Sequence, residues 1–276
     1  MKIILFGATG RVGKTVQQLQ RERGDFEIVA GFNKSGQNEC DFPIYTDKFE
    51  LRYSGIRADC IIDFSVKEIL DDLLFMADHN KLPLVTLVNR LEDNDYEALK
   101  LLSEIVPVFY TEVADFAFDN YLDRIEQANL SHAEEITITS KQHWGKKGFG
   151  DAPKIVLNTV LGENSRTTSG LHGDEFEKRV LKLGKGDIFG NKKIFFQLVR
   201  STNADTKYSS HIRYKVVGEP SPRTLRYTAR GGTKTFAKTA LLAARFLQDK
   251  PPGLYNLSDL KKALMPGSKR NSRTLR

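Results

Sequence analysis

Lys2 to Phe6 (KIILF) is a short apolar run that stops at Gly7, and Gly10 and Gly13 follow at intervals of three. A continuous run of this length without polar alternation predicts a strand buried on both faces. Arg11 to Arg23 then places Val12, Val16 and Leu19 at helical spacing. A strand, a glycine turn and a helix in that order make a dinucleotide fingerprint. The glycines allow a tight turn and close backbone approach, and the helix start offers free N–H groups and partial positive charge to a diphosphate. A plain connecting turn would use the same glycines. Their place directly between strand and helix favours the nucleotide reading.

The rhythm continues. Phe26 to Phe32, Ala58 to Phe64, Leu82 to Val88 and Pro107 to Tyr110 read as strands. Lys67 to His79 and Asp93 to Ile105 read as helices between them. Such alternation predicts a parallel sheet covered by helices on both faces. From Phe116 the pattern changes. Phe116 to Ala128 and Lys154 to Gly162 read as helices. Glu135 to Gln142, Ile194 to Arg200, Tyr208 to Val217 and Arg223 to Ala229 read as strands of an antiparallel or mixed sheet. Thr235 to Gln248 is a strong helix, ended by Lys250-Pro251-Pro252-Gly253, and Ser258 to Leu264 is a short one. The expected class is α/β: a Rossmann-like parallel sheet followed by a smaller mixed α/β unit with an open sheet.

With 276 residues the chain has room for one large or two modest domains. Its net charge of +7 suits an anionic small molecule as well as a nucleic acid. Part of that charge lies in residues 269–276, after Pro266-Gly267-Ser268, which read as a disordered basic tail. No nucleic-acid reading motif is present, so no nucleic-acid partner is expected. No apolar run approaches the roughly 20 residues needed to span a bilayer, and no membrane partner is expected. No secretory signal precedes Cys40 and Cys60, so cytoplasmic thiols are expected rather than a disulfide. His172 and His211 lack partners at metal-ligand spacing, and no metal site is expected. No nucleophile elbow of a Ser-His-Asp enzyme appears.

The second strand ends Gly31-Phe32-Asn33-Lys34-Ser35. An NAD-selective fold places an acidic residue there for the ribose 2′-hydroxyl. Here a cation and small hydrogen-bonding side chains stand instead, with Arg11 as a second cation in the glycine turn. The pattern favours NADPH, with NADH possible; ordinary surface charge is the plainer account of Lys34 and Arg11. The expected cofactor-binding set is Gly7, Thr9, Gly10, Arg11, Val12, Gly13, Asn33, Lys34 and Phe64.

Motifs along the chain resemble the dihydrodipicolinate reductase family. GATGRVGK is similar to that family's G-A-x-G-R-M-G opening, and Ile61-Ile62-Asp63-Phe64-Ser65 to its I-D-F-[ST]. Asp151-Ala152-Pro153 stands at its D-A-P, and Gly186-Asp187-Ile188-Phe189-Gly190 resembles its G-x-I-x-G. Thr235 to Lys238 and Gly253-Leu254-Tyr255 resemble its F-A-x-G-A and G-[LF]-Y elements. The matches run over roughly residues 1–264. The resemblance implies a dinucleotide-binding domain over 1–115, a substrate and oligomerisation domain over 116–234, and C-terminal helices over 235–265 that return to the first domain. It also implies a homotetramer built by the second sheet. The implied reaction is hydride delivery to a C=N or conjugated C=C of a small anionic cyclic imine, followed by protonation, in lysine biosynthesis.

Other family motifs are altered. The substrate loop reads Gln142-His143-Trp144-Gly145-Lys146-Lys147-Gly148-Phe149-Gly150, then Asp151 onward. One histidine of the family's pair remains as His143, with Trp144 beside it. Lys154-Ile155-Val156 replaces Ser-Gly-Thr, Leu87 to Arg90 replaces G-T-T-G, and Thr111 to Phe116 replaces A-N-[FM]-S-x-G. Proton donation near neutral pH suits histidine or lysine. The expected catalytic residues are His143, Lys146 and Lys147, and Trp144 and Lys154 are expected at the substrate. A solvated loop face is the bland account of both lysines, and an ordinary loop residue that of His143. Asp151 is expected to cap a helix beginning near Ala152-Pro153. Arg230-Gly231-Gly232-Thr233 could hold an anion at a helix start or could be a simple turn. The competing function is a retired enzyme that keeps the fold and serves in binding or assembly.

Overall fold

A computed structural model describes residues 1–34, 40–88, 91–128, 130–143, 151–162, 178, 182–184, 186–189, 192–201, 208–229 and 232–265. The first half forms β1 (Lys2–Phe6), α1 (Arg11–Arg23), β2 (Glu27–Phe32), β3 (Ile44–Tyr45), α2 (Lys48–Tyr53), β4 (Cys60–Asp63), α3 (Leu70–Asn80), β5 (Leu84–Thr86), α4 (Asp93–Ser103) and β6 (Pro107–Tyr110). There follow α5 (Phe116–Gln127), β7 (Ala133–His143), α6 (Asp151–Leu161), β8 (Asp187–Phe189), β9 (Lys192–Ser201), β10 (Ser209–Val216), β11 (Arg223–Thr228), α7 (Thr233–Leu247), β12 (Gly253–Tyr255) and α8 (Leu257–Leu264).

The first sheet has seven parallel strands in the order β12-β6-β5-β4-β1-β2-β3. Both its faces are covered, which is why its strands are apolar without alternation. Ile3, Leu5, Cys60 and Ile62 pack with Val16 and Leu19 of α1 and Ala240, Leu241 and Ala244 of α7. Ile4, Phe6 and Ile61 pack on the other side with Leu73 and Met76 of α3 and Leu99 of α4. Strand order reverses at β1: β2 and β3 lie on one side, β4, β5 and β6 on the other. Ligands of such sheets bind at this switch point, beyond the carboxyl ends of the strands.

The second sheet is five-stranded, in the order β11-β10-β7-β9-β8, with β7 and β9 parallel and the other pairs antiparallel. Ile136, Ile138, Phe196, Ile212 and Leu225 face a core shared with α5 and α6. Arg213, Lys215, Thr224 and Arg226 are exposed. That alternation is the mark of a sheet covered on one side.

Five elements differ from the sequence reading. The strand β3 has two residues, and α2 is a short helix whose first N–H groups, at Phe49 and Glu50, are bound by the Asp47 carboxylate. The strand β8 pairs with β9, and Gly253-Leu254-Tyr255 is a strand paired with β6. The helix α6 already includes Asp151, ahead of both the helical stretch read from Lys154 and the start expected near Ala152-Pro153. The side chain of Asp151 lies outside the described residues, and with it the expected capping role.

Candidate functional site

The turn between β1 and α1 is shaped by its glycines. Gly7 has φ +74°, and a Cβ there would lie 2.8 Å from the backbone carbon and oxygen of Phe64. A Cβ at Gly13 would run into the carbonyls of Gly7 and Ala8. Gly7 N–H donates to Phe32 O at 2.9 Å, and Gly10 N–H to Gly7 O at 3.0 Å. Gly10 caps α1 with no side-chain hydrogen bond, and the first turn carries no acidic residue. The N–H groups of Arg11, Val12 and Gly13 therefore lack an intrahelical acceptor, and the helix dipole there is uncompensated by carboxylates.

Asn33 follows β2 and is 5% exposed. Its Oδ1 accepts the Thr9 N–H at 3.4 Å, which ties the end of β2 to the glycine turn. Its Nδ2 is buried without a hydrogen-bond partner. A buried donor left unmade costs about 1–3 kcal/mol, so an acceptor delivered by a ligand would offset that cost. A cradle that tolerates no Cβ, an open helix start and an orphaned donor beside it fit the diphosphate and ribose of a dinucleotide.

The opposite wall is α7. Its first residue, Thr233, accepts a hydrogen bond from the Thr15 hydroxyl of α1 at 3.0 Å. A groove of about 560 Å³ is lined by Asp115, Ala117, Arg226, Tyr227, Thr228 and, from α7, Thr235. Asp115 is 7% exposed; one carboxylate oxygen accepts the Ala117 N–H at 2.8 Å and the other the Tyr227 hydroxyl at 2.6 Å. Burial, then the Asp115 hydrogen bond, push the Tyr227 pKa far up, so the phenol stays protonated. The groove thus joins the loop after β6, the edge strand β11 and the start of α7. A second cavity of about 230 Å³ lies on another side of that loop, with Tyr96, Tyr110, Glu112, Asp119, Tyr255 and Ser258 among its lining residues.

Of the residues singled out from sequence, Gly7, Thr9, Gly10, Gly13, Asn33 and Phe64 come together around the turn. Arg11 and Val12 occupy the first turn of α1, and Lys34 is exposed beside Asn33. The backbone of His143 ends β7 opposite Ser201, while its side chain lies outside the described residues. Trp144, Lys146, Lys147, Asn89, Arg90, His172, Arg230, Gly231 and the tail 266–276 also lie outside them. Lys154 is half-buried on α6, and Ile155 and Val156 are buried in the core of the second sheet. Tyr227 was not visible as a site residue from sequence; its partner is 112 positions away, and no local pattern announces the pair.

Among the described residues no group of His, Cys, Asp and Glu could hold a metal ion. Cys40 and Cys60 are unbridged, and burial pushes the Cys60 thiol up to about 12, which removes it from thiolate chemistry. No helix among the described residues is long and apolar enough to cross a membrane.

A family model described as dihydrodipicolinate reductase, N-terminus, matches residues 1–112. The 4-hydroxy-tetrahydrodipicolinate reductase of Caldanaerobacter subterraneus subsp. tengcongensis is 27% identical over 272 residues, covering 95% of this chain and 98% of that protein. The enzyme of the same name from Clostridium novyi is 26% identical over 273 residues, with 95% and 98% covered. Among solved structures, dipicolinate-bound dihydrodipicolinate reductase from Paenisporosarcina sp. TG-14 has a TM-score of 0.67 at 13% identity, covering 93% of this chain and 97% of that one. An engineered D-amino acid dehydrogenase bound to NADP+ has a TM-score of 0.50 at 12% identity, with 96% of each chain covered. These structural likenesses concern the fold.

Proposed function

We propose that the chain is a member of the dihydrodipicolinate reductase family, on the match of residues 1–112 and the relatives that align with it end to end, and that it is an NAD(P)H-dependent reductase whose cofactor sits at the glycine turn. The observation that carries this reading is the orphaned Asn33 Nδ2 beside the uncapped start of α1. The amides of Arg11, Val12 and Gly13 hold the diphosphate. Asn33, Lys34 and Arg11 receive the adenosine ribose, and the two cations favour a 2′-phosphate and hence NADPH over NADH. When bound, the dinucleotide supplies a hydride.

The substrate is a small anionic cyclic imine or conjugated unsaturated acid. His143, at the end of β7, donates the proton that completes reduction, with Lys146 and Lys147 in the same loop binding the anion or sharing that role. Trp144 and Lys154 complete the substrate side. The substrate differs from that of the relatives. Ile155 and Val156 stand where the family has Gly and Thr, and both are buried, so their side chains donate no hydrogen bond to a carboxylate. Lys154 offers a charge instead of a neutral nest.

Residues 1–115 form the cofactor unit, 116–234 the substrate and oligomerisation unit, and 235–265 close back on the first sheet. The exposed face of the second sheet assembles the protein as a cytoplasmic homotetramer. A retired protein that binds without turnover is the second reading, supported by the same loss of Ser-Gly-Thr. NADPH oxidation against a panel of cyclic imines tests both. Turnover with one member supports the reductase. Tight NADPH binding with no oxidation by any member supports the retired protein.

A further inference from the structure

Asp63 is the last residue of β4, 0% exposed, between Phe6 of β1 and Thr86 of β5. One carboxylate oxygen accepts the Thr86 hydroxyl at 2.7 Å and the other accepts the Ser65 N–H at 2.8 Å. Thr86 Oγ1 accepts the Val88 N–H at 3.3 Å, and Leu87 N–H donates to the Asp63 carbonyl at 3.1 Å. Two loops leaving adjacent strands are thus fastened to one side chain. One is Phe64-Ser65, whose backbone lies against Gly7 closely enough to exclude a Cβ there. The other is Leu87-Val88.

A strand end needs no carboxylate. Placing one here is costly, because burial opposes its charge and pushes its pKa up. What a carboxylate offers is two acceptor oxygens and no donor, so it receives an amide and a hydroxyl from opposite sides at once. We propose that Asp63 is a positioning residue of the cofactor crevice, one that holds the Phe64-Ser65 backbone in register with the glycine turn and anchors Leu87-Val88 on the other side. This rests on the reading of that turn as a dinucleotide site. Asp63 does not itself touch the ligand; it acts through Phe64, Ser65 and Thr86.

Asp63→Asn preserves shape and removes one acceptor, so either the Ser65 N–H loses its partner or the Thr86 hydroxyl must turn to accept from the new amide. Thr86→Val removes the second bond without touching the carboxylate. We expect Asp63→Asn to weaken NADPH binding about tenfold by direct fluorescence titration, the size of one charge-assisted hydrogen bond. Thr86→Val weakens it less, and the double variant is no worse than Asp63→Asn. At saturating NADPH, kcat and the KM for the imine stay near wild type, a split that general loss of structure does not produce. Amide exchange at Ser65 and Val88 accelerates in Asp63→Asn with or without cofactor. The proposal is overturned if a folded Asp63→Asn binds NADPH as wild type does. It is equally overturned if Asp63→Asn fails to fold while Thr86→Val folds and binds normally. Failure of the wild type to bind NADPH would remove the reductase reading instead, and the exchange rates would still report whether Asp63 holds the loops.

Discussion

Tyr227 donates its hydroxyl to Asp115 at 2.6 Å, and this bond ties the edge strand of the second sheet to the helix that follows the first sheet. Asp115 also caps that helix through the Ala117 N–H. The residue that starts α5 is therefore held by the wall it faces across the groove. Tyr227→Phe should leave one buried carboxylate oxygen without its donor and lower unfolding free energy by about 1–3 kcal/mol. Urea denaturation measures it; an unchanged midpoint would show that the bond contributes nothing to holding β11 against the start of α5.

Gly7→Ala should cut NADPH affinity by more than the side-chain variants. The new Cβ meets Phe64 backbone, which cannot swing aside, at a left-handed φ that costs an L-residue about 1–2 kcal/mol. A titration shows the loss, and circular dichroism separates it from unfolding.

His143→Ala should lower kcat about 10²- to 10⁴-fold, the usual contribution of a positioned acid. NADPH affinity should not change, because the residue stands at the end of β7 and not at the glycine turn. Steady-state kinetics beside a binding titration checks both halves.

Asp63 should make stability depend on pH in the acid range. Its folded pKa is raised by burial, so between the unfolded value of about 3.9 and the higher folded value the native state holds more protons than the unfolded one. Its contribution to stability is then fully present below the unfolded pKa and is lost as pH rises through the folded pKa. Asp63→Asn should remove this component from the difference in denaturation midpoints between acid and neutral pH.

Lys261 of α8 bridges Asp119 at 3.0 Å and Asp123 at 2.6 Å, both on α5. Burial opposes its charge, but the two carboxylates outweigh that and raise its pKa. The bridge is therefore complete below the unfolded lysine value of about 10.4 and is lost as pH climbs through the raised folded value. Lys261→Met should flatten the alkaline fall in thermal stability and leave Asp119 buried without its cation at neutral pH.

The first sheet was legible because burial on both faces writes each central strand as an apolar run, as in KIILF and CIID. β3 and β12 were not, since two or three residues carry no periodicity and both are strands only by pairing with β2 and β6. α2 left a readable trace in Asp47 followed by Glu50, a cap signal too short to stand against the turn residues around it. Asn33 was legible because its place at the end of β2 is fixed by the fingerprint. Asp63 stood in a recognised motif, but its bond to Thr86 spans 23 positions and exists only once β4 and β5 pair. The Asp115–Tyr227 contact is a tertiary accident of the same kind, invisible until both sheets are in place.

The account stands or falls on titrating the purified full-length chain with NADPH and with NADH by fluorescence. It predicts saturable, submillimolar binding of NADPH, tighter than NADH, with both abolished by Gly7→Ala. Absence of saturable binding by either dinucleotide to the folded protein would contradict it.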